Sequence, residues 1–245
     1  MSVGRIVRGG FWLYGTRVVN NVSGFLYWLI ISILGGSEIL GLTTTTVGFA
    51  ALIVGLLSFG MGRGAQRFFG ATLRDLERHS AYFWTLVLMY TIVYGAASVM
   101  LYFLSFLGVS ILELTPDMIR MASLLVLMGL GQAFASLVIS RLETRLVFIA
   151  SVLGNIGKFI LGISLVLIGW GWVGAFLGYF TVSLTNFLFL GFYSLRVAGF
   201  RPVFRSDFLK DIFYAGIVSW LPGIVVIAGQ WLGVLFIFGY SGASE

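Results

Sequence analysis

Seven apolar stretches, each about long enough to cross a lipid bilayer, leave this chain few ways to fold. They cover residues 11–34, 40–60, 81–108, 118–140, 147–168, 172–195 and 212–239. A helix needs about 20 apolar residues to traverse the hydrocarbon. In that medium backbone N–H and C=O groups find partners only within the protein, so the stretches must be helices. Of the 245 residues, 59% are hydrophobic and 10% charged, against roughly 25% charged in soluble domains. That leaves too little polar surface for a water-soluble fold of this size. The expected fold class is all-α, a polytopic membrane bundle of about seven transmembrane helices.

The breaks between stretches carry ordinary helix punctuation. Gly35-Gly36-Ser37-Glu38 separates the first two, Thr115-Pro116-Asp117 caps the fourth, and Gly169-Trp170-Gly171 is a minimal turn between the fifth and sixth. Ser206-Asp207 caps a short amphipathic lead-in to the seventh. Basic residues then set the orientation. With the N-terminus inside, twelve of the fifteen (Arg5, Arg8, Arg63, Arg67, Arg74, Arg78, Arg141, Arg145, Arg196, Arg201, Arg205 and Lys210) fall on the inner side. Only Arg120 lies outside, and Arg17 and Lys158 fall within helices. This asymmetry predicts a multi-pass protein of the cell (cytoplasmic) membrane with a cytoplasmic N-terminus. Arg17 interrupts the first stretch and no small-residue cleavage site follows, so a cleaved signal peptide is not expected.

The stretch LLSFGMGRGAQRFFGATLRDLERHS, residues 56–80, gathers glycines and arginines. A phosphate-cradling loop requires G-x-G-x-x-G or G-x-x-x-x-G-K-[ST] after a strand; here the spacing is G-x-G-x-G after an apolar helix. The stretch reads as the inner end of the second helix, with Gly60 and Gly64 allowing close helix contact. Arg63 and Arg67, a turn apart, face either the inner headgroups or the mouth of a cavity. Gly174-x-x-x-Gly178 and Gly131-x-x-x-Ala135 read as packing seams.

Composition and spacing also exclude function classes. No Lys/Arg block stands in a soluble domain, so nucleic acid is not an expected partner. There are no cysteines and one histidine, His79, which reads as a solvated interfacial residue. No base–nucleophile pair, carboxylate pair or metal cluster is present, so an enzyme, a cofactor and a metal site are not expected.

Polar residues inside the apolar stretches call for a reason, because a charge at helix centre costs about 2.5–3.5 kcal/mol on insertion scales. Lys158 stands mid-stretch, with Ser151, Asn155 and Gly162 on its face at helical spacing. In the first stretch Tyr14, Arg17, Asn21 and Gly24 share a face flanked by Asn20, and in the fourth Gln132, Ser136 and Ser140 form a stripe. Snorkelling to the inner interface is the structural alternative for Arg17. Every Asp and Glu falls in or near a loop. The expectation is a polar, net-positive cavity lined by Arg17, Asn20, Asn21, Gln132, Asn155 and Lys158. It suits an anionic group such as phosphate or pyrophosphate, and suits badly a cationic drug or coupling through a buried acid.

Gly35-Gly36-Ser37-Glu38 and Gly242-Ala243-Ser244-Glu245 each follow an apolar helix that starts on the inner side. The seventh helix thus behaves like a second copy of the first, as in transporters built from parallel repeats. The run ILGGSEILGLTTTTVGFAALIVGLLSFGMGRGAQRFFGA (33–71) resembles the start of polysaccharide and oligosaccharide flippases of the multidrug/oligosaccharidyl-lipid/polysaccharide exporter superfamily. The points of resemblance are Leu34-Gly35 to Gly41, the pattern Gly60, Gly64 and Arg67, and the tail LFIFGYSGASE. The resemblance implies two lobes, a central cationic cavity, alternating access and a lipid-pyrophosphate-linked glycan as cargo. It makes residues 1–200 a six-helix N-terminal lobe and 201–245 the start of a second, truncated lobe. Membrane lipids and a missing C-terminal half are then the expected partners. A bent seventh helix at Pro222-Gly223 is the implied gating hinge; a static proline kink reads the same residues without a gate. The alternatives are a multidrug-type antiporter of the same superfamily, or a non-transporting membrane scaffold or degenerate half-transporter.

Overall fold

A computed structural model describes residues 3–108 and 114–241. The second Gly-Ala-Ser-Glu turn, at 242–245, lies outside the described residues, as does the outer Glu113. Described elements are all helical: α1 Val3–Leu57, α2 Met61–Ala71, α3 Leu76–Phe106, α4 Pro116–Leu127, α5 Gly131–Ser140, α6 Thr144–Leu165, α7 Gly171–Ala198 and α8 Ser206–Ser241. A 3-10 turn, Met128–Leu130, joins α4 to α5, and a π turn, Val166–Trp170, joins α6 to α7.

A straight helix of 55 residues would be roughly 80 Å long at 1.5 Å per residue, well over twice the hydrocarbon thickness. α1 has 55 residues, and it folds back on itself at Gly36, whose φ of 74° places it in the left-handed region open to glycine. The pairing shows the reversal. Before Gly36, α1 runs parallel to α6 at one fixed register: Gly9 meets Thr144, Asn20 meets Asn155, Ser23 meets Lys158 and Tyr27 meets Gly162. Beyond Gly36, Thr43 lies against Trp172 at the far end, and Gly62 has returned to the level of Gln132 and Ser136. A second reversal at Gly169 (φ 98°) folds α7 antiparallel onto α6, with Gly178 against Gly162 and Gly157 against Thr181. With those two turns and the joined α4–α5, the seven expected stretches become seven apolar crossings of a multi-pass membrane protein.

Small residues set how closely the crossings approach. A methyl added at Gly60 or Gly64 would run into backbone atoms of Gly216 and Ile212, so α2 and α8 touch main chain to main chain there. The main core lies between α3, α4, α5 and α7, around Phe83, Tyr90, Tyr94, Leu137 and Phe176. His79 departs from the solvated position expected of it. It is 1% exposed, packed on Phe69 with ring centroids 5.8 Å apart and Nδ1 3.3 Å from the Thr72 hydroxyl. The turn between α2 and α3 is short enough to fold the first turn of α3 back over α2.

Candidate functional site

The break between α1 and α2 shows how this chain manages irregular backbone inside a membrane. At Phe59 (φ 45°) and Gly60 (φ 65°) the helix stops, leaving carbonyls of the preceding turn without their helical donors. Side chains from other helices take over. Tyr94 Oη donates to Val54 O at 3.1 Å, and Trp220 Nε1 lies 3.2 Å from both Gly55 O and Leu56 O. Tyr90 Oη donates to Ser58 O at 3.3 Å and accepts from Gly62 N at 2.9 Å. Such substitution is what allows broken helices at membrane depth.

Beside the break lie two adjoining cavities that share Ala51, Val54 and Gln132. One, of 280 Å³, is walled by Gly55, Ser58 and Gly62 on one side and Ser219, Trp220 and Gly223 on the other, with Arg63 at its edge. The other, of 210 Å³, is lined by Val47, Ala50, Leu125, Met128, Gly129, Tyr179 and Ser183. Together they form a cleft between α1, α4–α5, α7 and α8. Pro222 lies within a continuous α8, and its missing N–H leaves the carbonyl four residues earlier without its usual donor. Next to that turn, Arg63 Nη1 donates to Ser219 O at 3.1 Å.

Lys158 occupies a different place. It is 2% exposed, against α1. Its Nζ lies 3.5 Å from the Ser23 hydroxyl and 5.2 and 5.4 Å from the ring centres of Tyr27 and Phe159. Ser23 donates to Asn155 Oδ1 at 2.5 Å, and Asn155 Nδ2 donates to Asn20 Oδ1 at 2.8 Å and to Ser151 O. The described residues place no carboxylate in ion-pairing reach of the amine. The amine lines neither of these two cavities; its neighbour Tyr27 has its hydroxyl bonded to Ala175 O at 2.6 Å, and Trp28 stacks on Tyr179, which borders the cleft.

The predicted residues therefore fall into two groups rather than one cavity. Asn20, Asn155 and Lys158 come together with Ser23, while Arg17 and Asn21 sit exposed on the neighbouring surface of α1. Gln132 joins Arg63, Pro222's neighbour Gly223 and the cleft; Arg67 is exposed and lines neither cavity. The expected stripe on α1, Tyr14–Arg17–Asn21–Gly24, is the outward one. The face packed on α6 is Thr16–Asn20–Ser23–Tyr27, about 100° round the helix. That polar stripe is present in the sequence, but charge singles out the adjacent one. On α5 the Ser136 and Ser140 hydroxyls bond back to their own helix, at 2.7 Å each, and Ser136 lies against Gly62 of α2.

No family model matches the sequence, and no curated protein does. Solved structures do share the fold. A MOP superfamily transporter from Pyrococcus furiosus, described as having a binding pocket of reversed polarity that suggests a different function, aligns with 98% of this chain at a TM-score of 0.65 and 21% identity. A MATE protein in a bent conformation aligns over 98% at a TM-score of 0.61 and 21% identity. The chain spans less than two thirds of each, 62% and 63% of their lengths. The chain thus shares its fold with these two proteins.

Proposed function

We propose that this chain forms the N-terminal lobe of a flippase. The lobe moves a lipid-linked oligosaccharide or polysaccharide precursor across the cytoplasmic membrane by alternating access, with its N-terminus cytoplasmic. Residues 1–200 make up the six-helix lobe and 201–245 begin the second one. The observation that carries this reading is a buried amine without a carboxylate. Lys158 has only hydroxyl, amide and aromatic neighbours, and the polar tract continues through Asn155 and Asn20 to Arg17 and Asn21 on the helix surface. Lipid hydrocarbon is a poor environment for those exposed polar groups, so that face of α1 fronts water or more protein. Two cations with no acid among them favour a pyrophosphate cargo, whose lipid tails stay in the bilayer. Asn20, Asn21 and Asn155 would bond phosphate or sugar oxygens, and reaching the buried Lys158 requires the surrounding side chains to move. Gln132 and Arg63 serve the cleft, Arg67 gathers the headgroup on the inner surface one turn beyond it, and Pro222-Gly223 is the hinge.

The shared fold also admits a multidrug-type antiporter. In the Pyrococcus protein a pocket of reversed polarity goes with a suggested difference of function, so charge inside this fold is a guide to cargo, and here the charge is positive. Translocation of a fluorescent lipid-pyrophosphate glycan in proteoliposomes tests the reading. Lys158→Ala should reduce the rate about 100-fold while inserting normally, the loss expected for one charge-assisted contact of about 2–3 kcal/mol. A wild-type rate in that variant would refute the role of Lys158, and efflux of an organic cation without glycan movement would favour the antiporter.

A further inference from the structure

Away from the membrane tract, a 310 Å³ cavity opens at the end of the bundle that carries most of the arginines. It is lined by Asp75, Glu77, Arg78 and Ser80 on the start of α3 and by Arg201 and Arg205 on the segment leading to α8, with Phe208 as its apolar wall. Several of these charges are already committed. Asp75 caps α3 by accepting from Arg78 N at 3.1 Å and pairs with Arg78 Nε at 3.4 Å. Arg205 pairs with Asp207 at 3.1 Å and lies over the Phe208 ring. Among the described residues Arg201 and Glu77 form no ion pair, which leaves one free guanidinium and one free carboxylate on the same cavity. Ser80, 5% exposed, also lines it, and its hydroxyl has no partner among the described residues.

The surroundings fix the depth of this cavity in the membrane. Leu76, Phe200, Val203 and Phe204 are exposed around it at 69%, 79%, 46% and 49%. Trp84 donates to Gly199 O at 2.9 Å and meets Phe200 edge-on. Exposed apolar residues beside a hydrogen-bonded tryptophan mark the interfacial layer, where headgroups lie. A purely anionic ligand would meet the Glu77 carboxylate, and a purely cationic one the Arg201 guanidinium. A ligand carrying both charges a few bonds apart satisfies each.

We infer that this cavity holds the headgroup of a phosphatidylethanolamine molecule. Arg201 takes the phosphate, Glu77 takes the primary ammonium, and Phe208 packs against the glycerol end. The site is independent of the cargo and of the Lys158 tract, so it stands or falls separately from the transport reading.

Native mass spectrometry of the detergent-solubilised protein, given equal amounts of phosphatidylethanolamine, phosphatidylcholine and phosphatidylglycerol with matched acyl chains, tests it. The choline lipid keeps the phosphate and the charge but lacks the N–H donors; the glycerol lipid lacks the cation. Wild type should retain the ethanolamine lipid about tenfold over either, the ratio expected from one charge-assisted hydrogen bond. Glu77→Gln should bring that ratio to about one without loss of the glycerol lipid, and Glu77→Asp should restore part of it. Arg201→Gln should weaken all three lipids together. Both side chains are exposed, so melting profiles close to wild type accompany these results. Equal retention of the three lipids by wild type, or an unchanged preference in Glu77→Gln, would overturn the assignment. So would displacement of the bound lipid by equimolar soluble glycerophosphoethanolamine, which would make this a site for a water-soluble ligand.

Discussion

Replacing Tyr90 by Phe removes one oxygen and leaves the ring in place. Tyr90 is fully buried, so the change opens no cavity large enough to relax. It nevertheless strips two backbone groups at the α1–α2 break: Gly62 N loses its acceptor at 2.9 Å and Ser58 O its donor at 3.3 Å. Hydrogen bonds between membrane helices contribute about 0.6 kcal/mol on average, and about 1–2 in model peptides. Two lost bonds therefore cost about 1–3 kcal/mol, more if water cannot reach the orphaned groups. In a protein of this size each kcal/mol lowers the melting temperature by about 2–4 °C, so Tyr90→Phe should melt roughly 3–10 °C below wild type. Tyr94→Phe removes the donor to one backbone carbonyl, Val54 O, and should lose about half as much. Thermal denaturation in detergent, followed by fluorescence-detected gel filtration, reads both. If Tyr90→Phe melts within about 1 °C of wild type on this roughly 2–4 °C per kcal/mol scale, tyrosine bonding does not hold the break.

Three other outcomes follow from the same packing. Lys158→Met should raise the melting temperature by roughly 1–10 °C, because it removes a cation costing about 2.5–3.5 kcal/mol and forfeits about 1–2 kcal/mol of cation–π attraction, a net gain of about 0.5–2.5 kcal/mol; unchanged or lower stability would show that the amine is well solvated by its neighbours. Gly64→Ala places a methyl against the main chain of α8 and should destabilise by about 1–3 kcal/mol, whereas Gly24→Ala, with open space around it, should be neutral or stabilising by up to about 1 kcal/mol; the same melting assay separates them. Arg63→Gln removes the donor to Ser219 O, and hydrogen exchange of residues 219–224 should quicken roughly fivefold, an effect that Arg63→Lys should partly suppress.

Crossings are legible in the sequence because burial in hydrocarbon forces a long apolar run, and Gly36 and Gly169 announce the reversals by composition alone. Contact partners are less legible. Which face of the first helix meets α6 depends on a register of 135 positions that no local pattern encodes, so Arg17 and Asn21 group with Lys158 by charge and polarity while Ser23 and Tyr27 do not stand out. Tyr90, Tyr94 and Trp220 read as ordinary apolar bulk, since their hydroxyl and indole groups acquire a purpose only once the α1–α2 break is seen beside them. His79 misleads for a related reason: its place next to Arg78 suggests solvent, and only the fold of α3 over α2 buries it.

The α1–α2 break and the proline-bearing turn of α8 border one cleft. The α1–α2 break leaves Gly55 and Leu56 carbonyls to be met by Trp220 of α8, and the proline turn of α8 has Ser219 O met by Arg63 of α2. Each helix thus donates a side-chain hydrogen bond to the other's main chain, across a contact of Gly60 and Gly64 on Gly216 where backbone meets backbone. Apolar packing between interdigitated side chains resists sliding, because every knob must leave its hole. A glycine seam held by a few exchangeable hydrogen bonds resists it less. If α8 moves relative to the rest of the bundle, this seam is where the movement costs least, and Gln132 and Arg63 line the space it would open. Lys158 packs against Tyr27, whose neighbour Trp28 stacks on the Tyr179 ring beside that cleft.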